Sequence, residues 1–197
     1  MLKVALTGGI ATGKSYVLAR LKDRGVPTID ADHIVHDALG PGTPTTNAIA
    51  AKFGSAFLRP DGSIHRTLLG AKVFRDPDAR AGVEAIVHPV VYAAIQRWFA
   101  KLSQPMGVAS IPLLYETHHE SDFDFVVATL CPPEQQLQRL LERDLISEEE
   151  ALQRIAAQMP ADEKAARANF VVLTGGTKLA TDDQVDGLMA TLGSWRL

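Results

Sequence analysis

The sequence predicts a three-layer α/β fold on a parallel sheet of five strands. Three observations predict it. Short apolar runs alternate with longer amphipathic stretches along the chain, without repeats or low-complexity tracts. The runs are brief and rich in Val, Leu and Ile, as strands covered on both faces are. A length of 197 residues, with 46% hydrophobic and 22% charged residues, suits one globular domain carrying an insertion.

In order, the predicted strands are Lys3 to Thr7, Val26 to Asp30, Val108 to Ile111, Phe125 to Leu130 and Phe170 to Leu173. A helix opens near Lys14 and stops at Gly25, a residue type suited to helix ends. The stretch from Asp30 to Val108 is far longer than a crossover needs. It carries helical patterns over Ala31 to Leu39, Thr45 to Phe53, Thr67 to Phe74, Asp78 to Val87 and Val90 to Leu102, punctuated by Gly40-Pro41-Gly42 and Pro60-Asp61-Gly62. His88-Pro89 is read as a break between the last two. Pro132-Pro133 opens a helix over Glu134 to Arg143. Ser147-Glu148-Glu149-Glu150 is a capping box for a second helix, which stops by Pro160. Thr181-Asp182-Asp183-Gln184 is expected to cap a last helix ending near Leu192.

Composition excludes several function classes. Lys and Arg number 20 and Asp and Glu 23, a net charge of −3, so no global basic surface exists for nucleic acid. One cysteine permits neither an intramolecular disulfide nor a cysteine metal cluster. No apolar run reaches the roughly 18 residues of a membrane-spanning helix. The N-terminus before the first glycines is too short for a signal peptide. The expectation is a cytoplasmic monomer that binds small molecules.

Gly8-Gly9-Ile10-Ala11-Thr12-Gly13-Lys14-Ser15 fits G-x-x-x-x-G-K-[ST], between a predicted strand and a predicted helix. A polyphosphate needs many donors at close range. A tightly wrapped loop supplies backbone N–H groups, and Gly8 and Gly13 permit the wrap. The helix start adds further N–H groups and the positive end of its dipole. Lys14 brings a mobile cation to the β- and γ-phosphates, and the Ser15 hydroxyl is placed to ligate Mg²⁺. The fold is therefore expected to be of P-loop NTPase type. After the second strand, Asp30 and Asp32 stand two apart, which on extended backbone places them on one face. One can accept a proton from an attacking hydroxyl while the other holds a metal-bound water. Alternatively, one or both cap the following helix. Downstream of a phosphate loop, Asp32 is the favoured catalytic carboxylate.

These residues resemble the dephospho-coenzyme A kinase family, and further matches span nearly the whole chain. They are Ile29-Asp30-Ala31-Asp32, the run Asp61 to Leu69 with Val73-Phe74, His88-Pro89, Pro112-Leu113-Leu114-Tyr115-Glu116, Gln136 to Arg143, and Arg154-Ile155-Ala156-Ala157-Gln158. The resemblance implies phosphorylation of the ribose 3′-hydroxyl of dephospho-coenzyme A by Mg²⁺ and ATP, the last step of coenzyme A synthesis. It also implies a nucleotide-binding core over residues 1–36, 102–133 and 160–197, an acceptor-binding insertion over 37–101 and a lid over 134–159. Carried over by position, the base falls on Asp32 and the phosphate-binding arginine on Arg139. Acceptor contacts fall on Asp32, Arg66, His88, Pro89 and Glu116. ATP contacts fall on residues 8–16, from Gly8 and Gly9 through Ile10, Ala11, Thr12, Gly13, Lys14 and Ser15 to Tyr16, and on Arg139, Arg143 and Thr174. Arg139 and Arg143 are four apart, so one helix face carries both guanidinium groups; aimed at the nucleotide, they would neutralise the transferring phosphoryl group.

The chain departs from the family pattern at several points. Ala11-Thr12 replaces the frequent Gly-Ser, Tyr16 stands where Thr is common, and Ser110 takes the place of an acidic residue. Leu173-Thr174-Gly175-Gly176 replaces Asp-Asn-x-Gly in the loop expected to meet adenine, and Asn169 replaces an Asp. If residue 11 needs a positive φ, its alanine is strained. Another small-molecule kinase, such as one for nucleoside monophosphates, would share the loop and the arginines. A nucleotide-binding module without catalysis would share the loop alone. A GTP switch would need Asn-Lys-x-Asp late in the chain, which Thr177-Lys178-Leu179 does not provide.

Overall fold

The computed structural model describes residues 1–195. Five parallel strands, β1 (Leu2–Gly8), β2 (Thr28–Asp30), β3 (Met106–Ser110), β4 (Phe125–Leu130) and β5 (Phe170–Leu173), form one sheet in the order β2-β3-β1-β4-β5. The fold class is the one expected. β1 is central, with Leu6 opposite Ser110 on β3 and Val127 on β4. Alternation along β1 sends Leu2, Val4 and Leu6 to one face. There they join Phe125, Val127 and Val172 in a core closed by Val17 and Leu21 of α1 (Lys14–Asp23) and by Val185, Leu188 and Leu192 of α9 (Lys178–Ser194). The intervening residues Ala5, Ala109 and Ala128 are small and also fully buried. Small side chains let a short helix, α8 (Ala161–Arg167), pack closely on β1 and β4.

The chain divides into two compact units, Met1–Ile29 with Leu102–Leu197 and Asp30–Lys101. The second starts at Asp30 rather than at residue 37, because α2 (Ala31–Ala38) packs against the long helix of that unit. That unit is helical, adding α3 (Pro44–Phe53), α4 (Arg66–Arg75) and α5 (Pro77–Lys101). The expected break at His88-Pro89 is absent: α5 runs through 25 residues with Pro89 inside it. An interior proline costs a helix about 3 kcal/mol. Val87 on one side and Val91, Tyr92, Ile95 and Phe99 on the other are buried, so packing on both sides of Pro89 offsets that cost.

The helix pair α6 (Pro133–Asp144) and α7 (Glu148–Ala156) lies in the first unit with the sheet. Ser147 caps α7 as expected, accepting from the Glu150 amide at 3.2 Å. α8 was not anticipated, since seven residues after Pro160 carry too little pattern to register. The last helix starts earlier than expected: Thr177, not Thr181, is its cap, accepting from the Ala180 amide at 3.1 Å.

Candidate active site

β1 ends at Gly8, and the phosphate loop turns directly into α1. Gly13 caps α1 with φ 90°, and a Cβ there would meet the Thr174 side chain at 3.1 Å. Backbone shape and close packing therefore both demand glycine. No side chain caps α1 and its first turn holds no acid, so its leading N–H groups and dipole end are left for an anion. Ala11 does take a left-handed conformation, φ 58°, so the alanine is strained. The loop is tied from beneath. Thr12 Oγ1 donates to the Gly9 carbonyl at 2.8 Å and lies 2.7 Å from Thr129 Oγ1, and Thr174 Oγ1 donates to the Thr12 carbonyl at 2.6 Å.

Lys14 Nζ donates to the buried Ser110 hydroxyl at 3.2 Å. A neutral acceptor leaves the lysine charge uncompensated there, available to phosphate. Ser15 sits exposed in the first turn of α1. Among the described residues no three His, Cys, Asp or Glu side chains gather as metal ligands. The exposed Ser15 hydroxyl is a hard oxygen donor of the kind Mg²⁺ takes, since that ion keeps its waters and uses few protein ligands.

The two arginines of α6 diverge. Arg139 places Nη2 2.7 Å from the Thr174 carbonyl and Nη1 3.3 Å from its hydroxyl. Arg143 turns back onto Asp144, at 2.7 and 3.2 Å. The structure thus does not aim them together. Thr174 is nearly buried, its hydroxyl bound to the loop and to Arg139, so it links β5 to the phosphate loop rather than presenting a side chain to a base. The Tyr16 hydroxyl donates to Asp182 at 3.0 Å.

Glu116 is engaged inside the first unit. Its Oε1 accepts from the Met159 amide at 3.0 Å and pairs with Lys164 Nζ at 2.7 Å, while Oε2 is buried without a hydrogen-bond partner among the described residues. Lys164 is fully buried and also donates to the Pro112 carbonyl at 2.6 Å. Burial pushes its ammonium below the ordinary lysine range, against the opposing pull of Glu116. Nothing in the spacing of Lys164 signals this, because α8 itself was illegible. Two glutamines also escape sequence reasoning. Gln136 Nε2 donates to the Ile10 carbonyl at 2.8 Å, and Gln158 Oε1 accepts from the Ile10 amide at 2.9 Å.

In the second unit the two aspartates separate by role. Asp30 is the N-cap of α2, its Oδ1 accepting from the Asp32 amide at 3.0 Å. Asp32 lies one residue inside that helix, exposed, and its carboxylate makes no hydrogen bond or ion pair among the described residues. Arg66 opens α4, with Nη1 2.6 Å from His36 Nδ1. His88, half-buried, and Pro89, exposed, are adjacent in α5.

The dephospho-CoA kinase family model matches residues 2–179. A dephospho-CoA kinase of Anaeromyxobacter dehalogenans is 46% identical over 199 residues, covering 100% of this chain and 94% of that protein. A solved structure of a Thermus thermophilus protein superposes with a TM-score of 0.81 at 31% identity, over 98% of this chain and 96% of that one. The solved dephospho-CoA kinase of Campylobacter jejuni gives a TM-score of 0.73 at 25% identity, over 99% and 98%.

Proposed function

This chain belongs to the dephospho-CoA kinase family, and we propose that Asp32 and Lys14 carry its chemistry, with ATP held on the phosphate loop. The chain is a kinase that phosphorylates dephospho-coenzyme A on the ribose 3′-hydroxyl; the nucleoside monophosphate and catalysis-free alternatives are not favoured. The loop amides and the α1 dipole bind the β- and γ-phosphates, and Lys14 follows the charge that moves to the leaving oxygen. Mg²⁺ is the metal we assign, with Ser15 as its protein ligand; bound, it neutralises phosphate charge. Arg66, His88 and Pro89 are assigned to the acceptor, and residues 134–159 to a lid whose Arg139 and Arg143 serve the nucleotide. Glu116 is assigned to the acceptor by its place in the Pro112 to Glu116 match alone. A cytoplasmic monomer is our reading of the chain.

One observation carries the choice of base: Asp30 spends its carboxylate on capping α2, while Asp32 keeps its own unspent. A carboxylate within reach of a ribose hydroxyl both orients it and takes its proton. Because the transition state is loose, orientation is the larger share. Single-turnover phosphoryl transfer tests this. Asp32→Asn should lose about 10²–10⁴ in rate while ATP binding, by titration calorimetry, stays intact. Asp30→Ala should instead cost about 1 kcal/mol of stability through the lost cap. An Asp32→Asn variant retaining more than about a third of the wild-type rate would contradict a role as base.

A further inference from the structure

We propose that Gln136 and Gln158 are positioning residues that latch the α6–α7 segment onto the phosphate loop through the two backbone groups of Ile10. This rests on the kinase reading above and concerns residues outside the phosphate-binding motif. The two glutamines bond to opposite sides of one peptide residue. Gln136, in α6, donates to the Ile10 carbonyl at 2.8 Å, and Gln158, just beyond α7, accepts from the Ile10 amide at 2.9 Å. The effect is that of a strand partner supplied by two side chains. Gln136 is buried, so its amide has no alternative in water.

Gly9 gives an independent sign of the same contact. It is not among the positive-φ glycines, so its backbone alone does not require glycine. A Cβ at Gly9 would come 2.9 Å from Gln136 Nε2 and 3.1 Å from Ala161 Cβ. Glycine here leaves room for the latch. The latch also matters for a strained loop, because Ala11, next to Ile10, sits at φ 58°. Fixing both polar groups of residue 10 holds that neighbour in a conformation it would otherwise relax from. Displacements of about 1 Å in a phosphoryl-transfer site cost up to 10² in rate.

The roles of the two side chains follow from the backbone, since an amide N–H must donate and a carbonyl must accept. Gln158 therefore needs only an acceptor, and Gln136 needs a donor. Glutamate keeps the first function and lacks the second. Both glutamate variants add the same charge near the nucleotide, so both should raise the KM for ATP, and kcat separates them. With ATP, Mg²⁺ and dephospho-coenzyme A, Gln158→Glu should keep kcat within about threefold and Gln136→Glu should lose at least about tenfold. Gln158→Met, which offers only a weakly accepting thioether sulfur at a half-buried position, should also lose about tenfold, so the comparison survives if Gln136→Glu does not fold. Hydrogen exchange at the Ile10 amide should be slow in the wild type and in Gln158→Glu, and fast in Gln158→Met. Equal kcat for Gln158→Glu and Gln158→Met, or Ile10 exchange unchanged by Gln158→Met, would overturn the latch. A wild-type chain inactive on dephospho-coenzyme A would instead refute the kinase reading, and Ile10 exchange would still decide the latch.

Discussion

Ala11 shows how one residue in the phosphate loop sets a local energy. A left-handed backbone costs a side chain with a Cβ roughly 1–2 kcal/mol, and Ala11 sits at φ 58°. Glycine would relieve that strain but also free the unfolded chain, which takes back about 0.4–1 kcal/mol. Ala11→Gly should therefore stabilise the protein by about 0.5–1 kcal/mol, read as a higher denaturant midpoint with an unchanged slope. A lower midpoint would mean the alanine makes a contact that outweighs its backbone. Residue identity alone raised this question at position 11, because the motif fixes where the loop turns. At Asp30 and Asp32 it offered a cap or a catalytic role and favoured Asp32 as the base; the observed bond from the Asp32 amide makes Asp30 the cap. The Thr174 side chain was opaque, since its partners, Thr12 and Arg139, lie 162 and 35 residues away in sequence.

At the scale of elements, the α6–α7 pair is joined by charge. Asp144, at the end of α6, accepts from Arg143 at 2.7 Å and from Arg154 of α7 at 2.7 Å. The Arg143 hydrogen bond, with Arg154 beside it, holds this carboxyl below the ordinary aspartate range. A depressed folded value makes the contribution to stability fully present above the unfolded value near 3.8 and lost as pH falls through the folded one. Asp144→Asn should therefore destabilise the protein at neutral pH and progressively less as the solution is acidified below about pH 4. Urea melts of both proteins at pH 7 and pH 3 check this; an equal gap at the two values would contradict the ion pairs as its source. Sequence pattern located α6 and α7 well because cap, apolar period and proline agree there. It failed at α5, where tertiary packing overrides the proline, and at α8, a helix too short to show a period.

Across the whole molecule, the five-strand parallel sheet and the phosphate loop were readable because both rest on local pattern: buried β-branched runs and a fixed glycine–lysine spacing. The start of the second unit was displaced, since α2 belongs by its packing to α5, and packing partners distant in sequence leave no local trace. That second unit, Asp30–Lys101, is far larger than a crossover requires. It carries Asp32, Arg66, His88 and Pro89, which we assign to an acceptor bulkier than a bare nucleotide. The most direct measurement is competition among acceptors: purified chain, ATP and Mg²⁺ with dephospho-coenzyme A, adenosine monophosphate or adenosine, scored for ADP and for phosphorylated product. The account predicts a kcat/KM for dephospho-coenzyme A at least about a hundredfold above either competitor, with product carrying the phosphate at the ribose 3′-position. Comparable turnover of adenosine monophosphate, or ADP release without phosphorylated dephospho-coenzyme A, would contradict it.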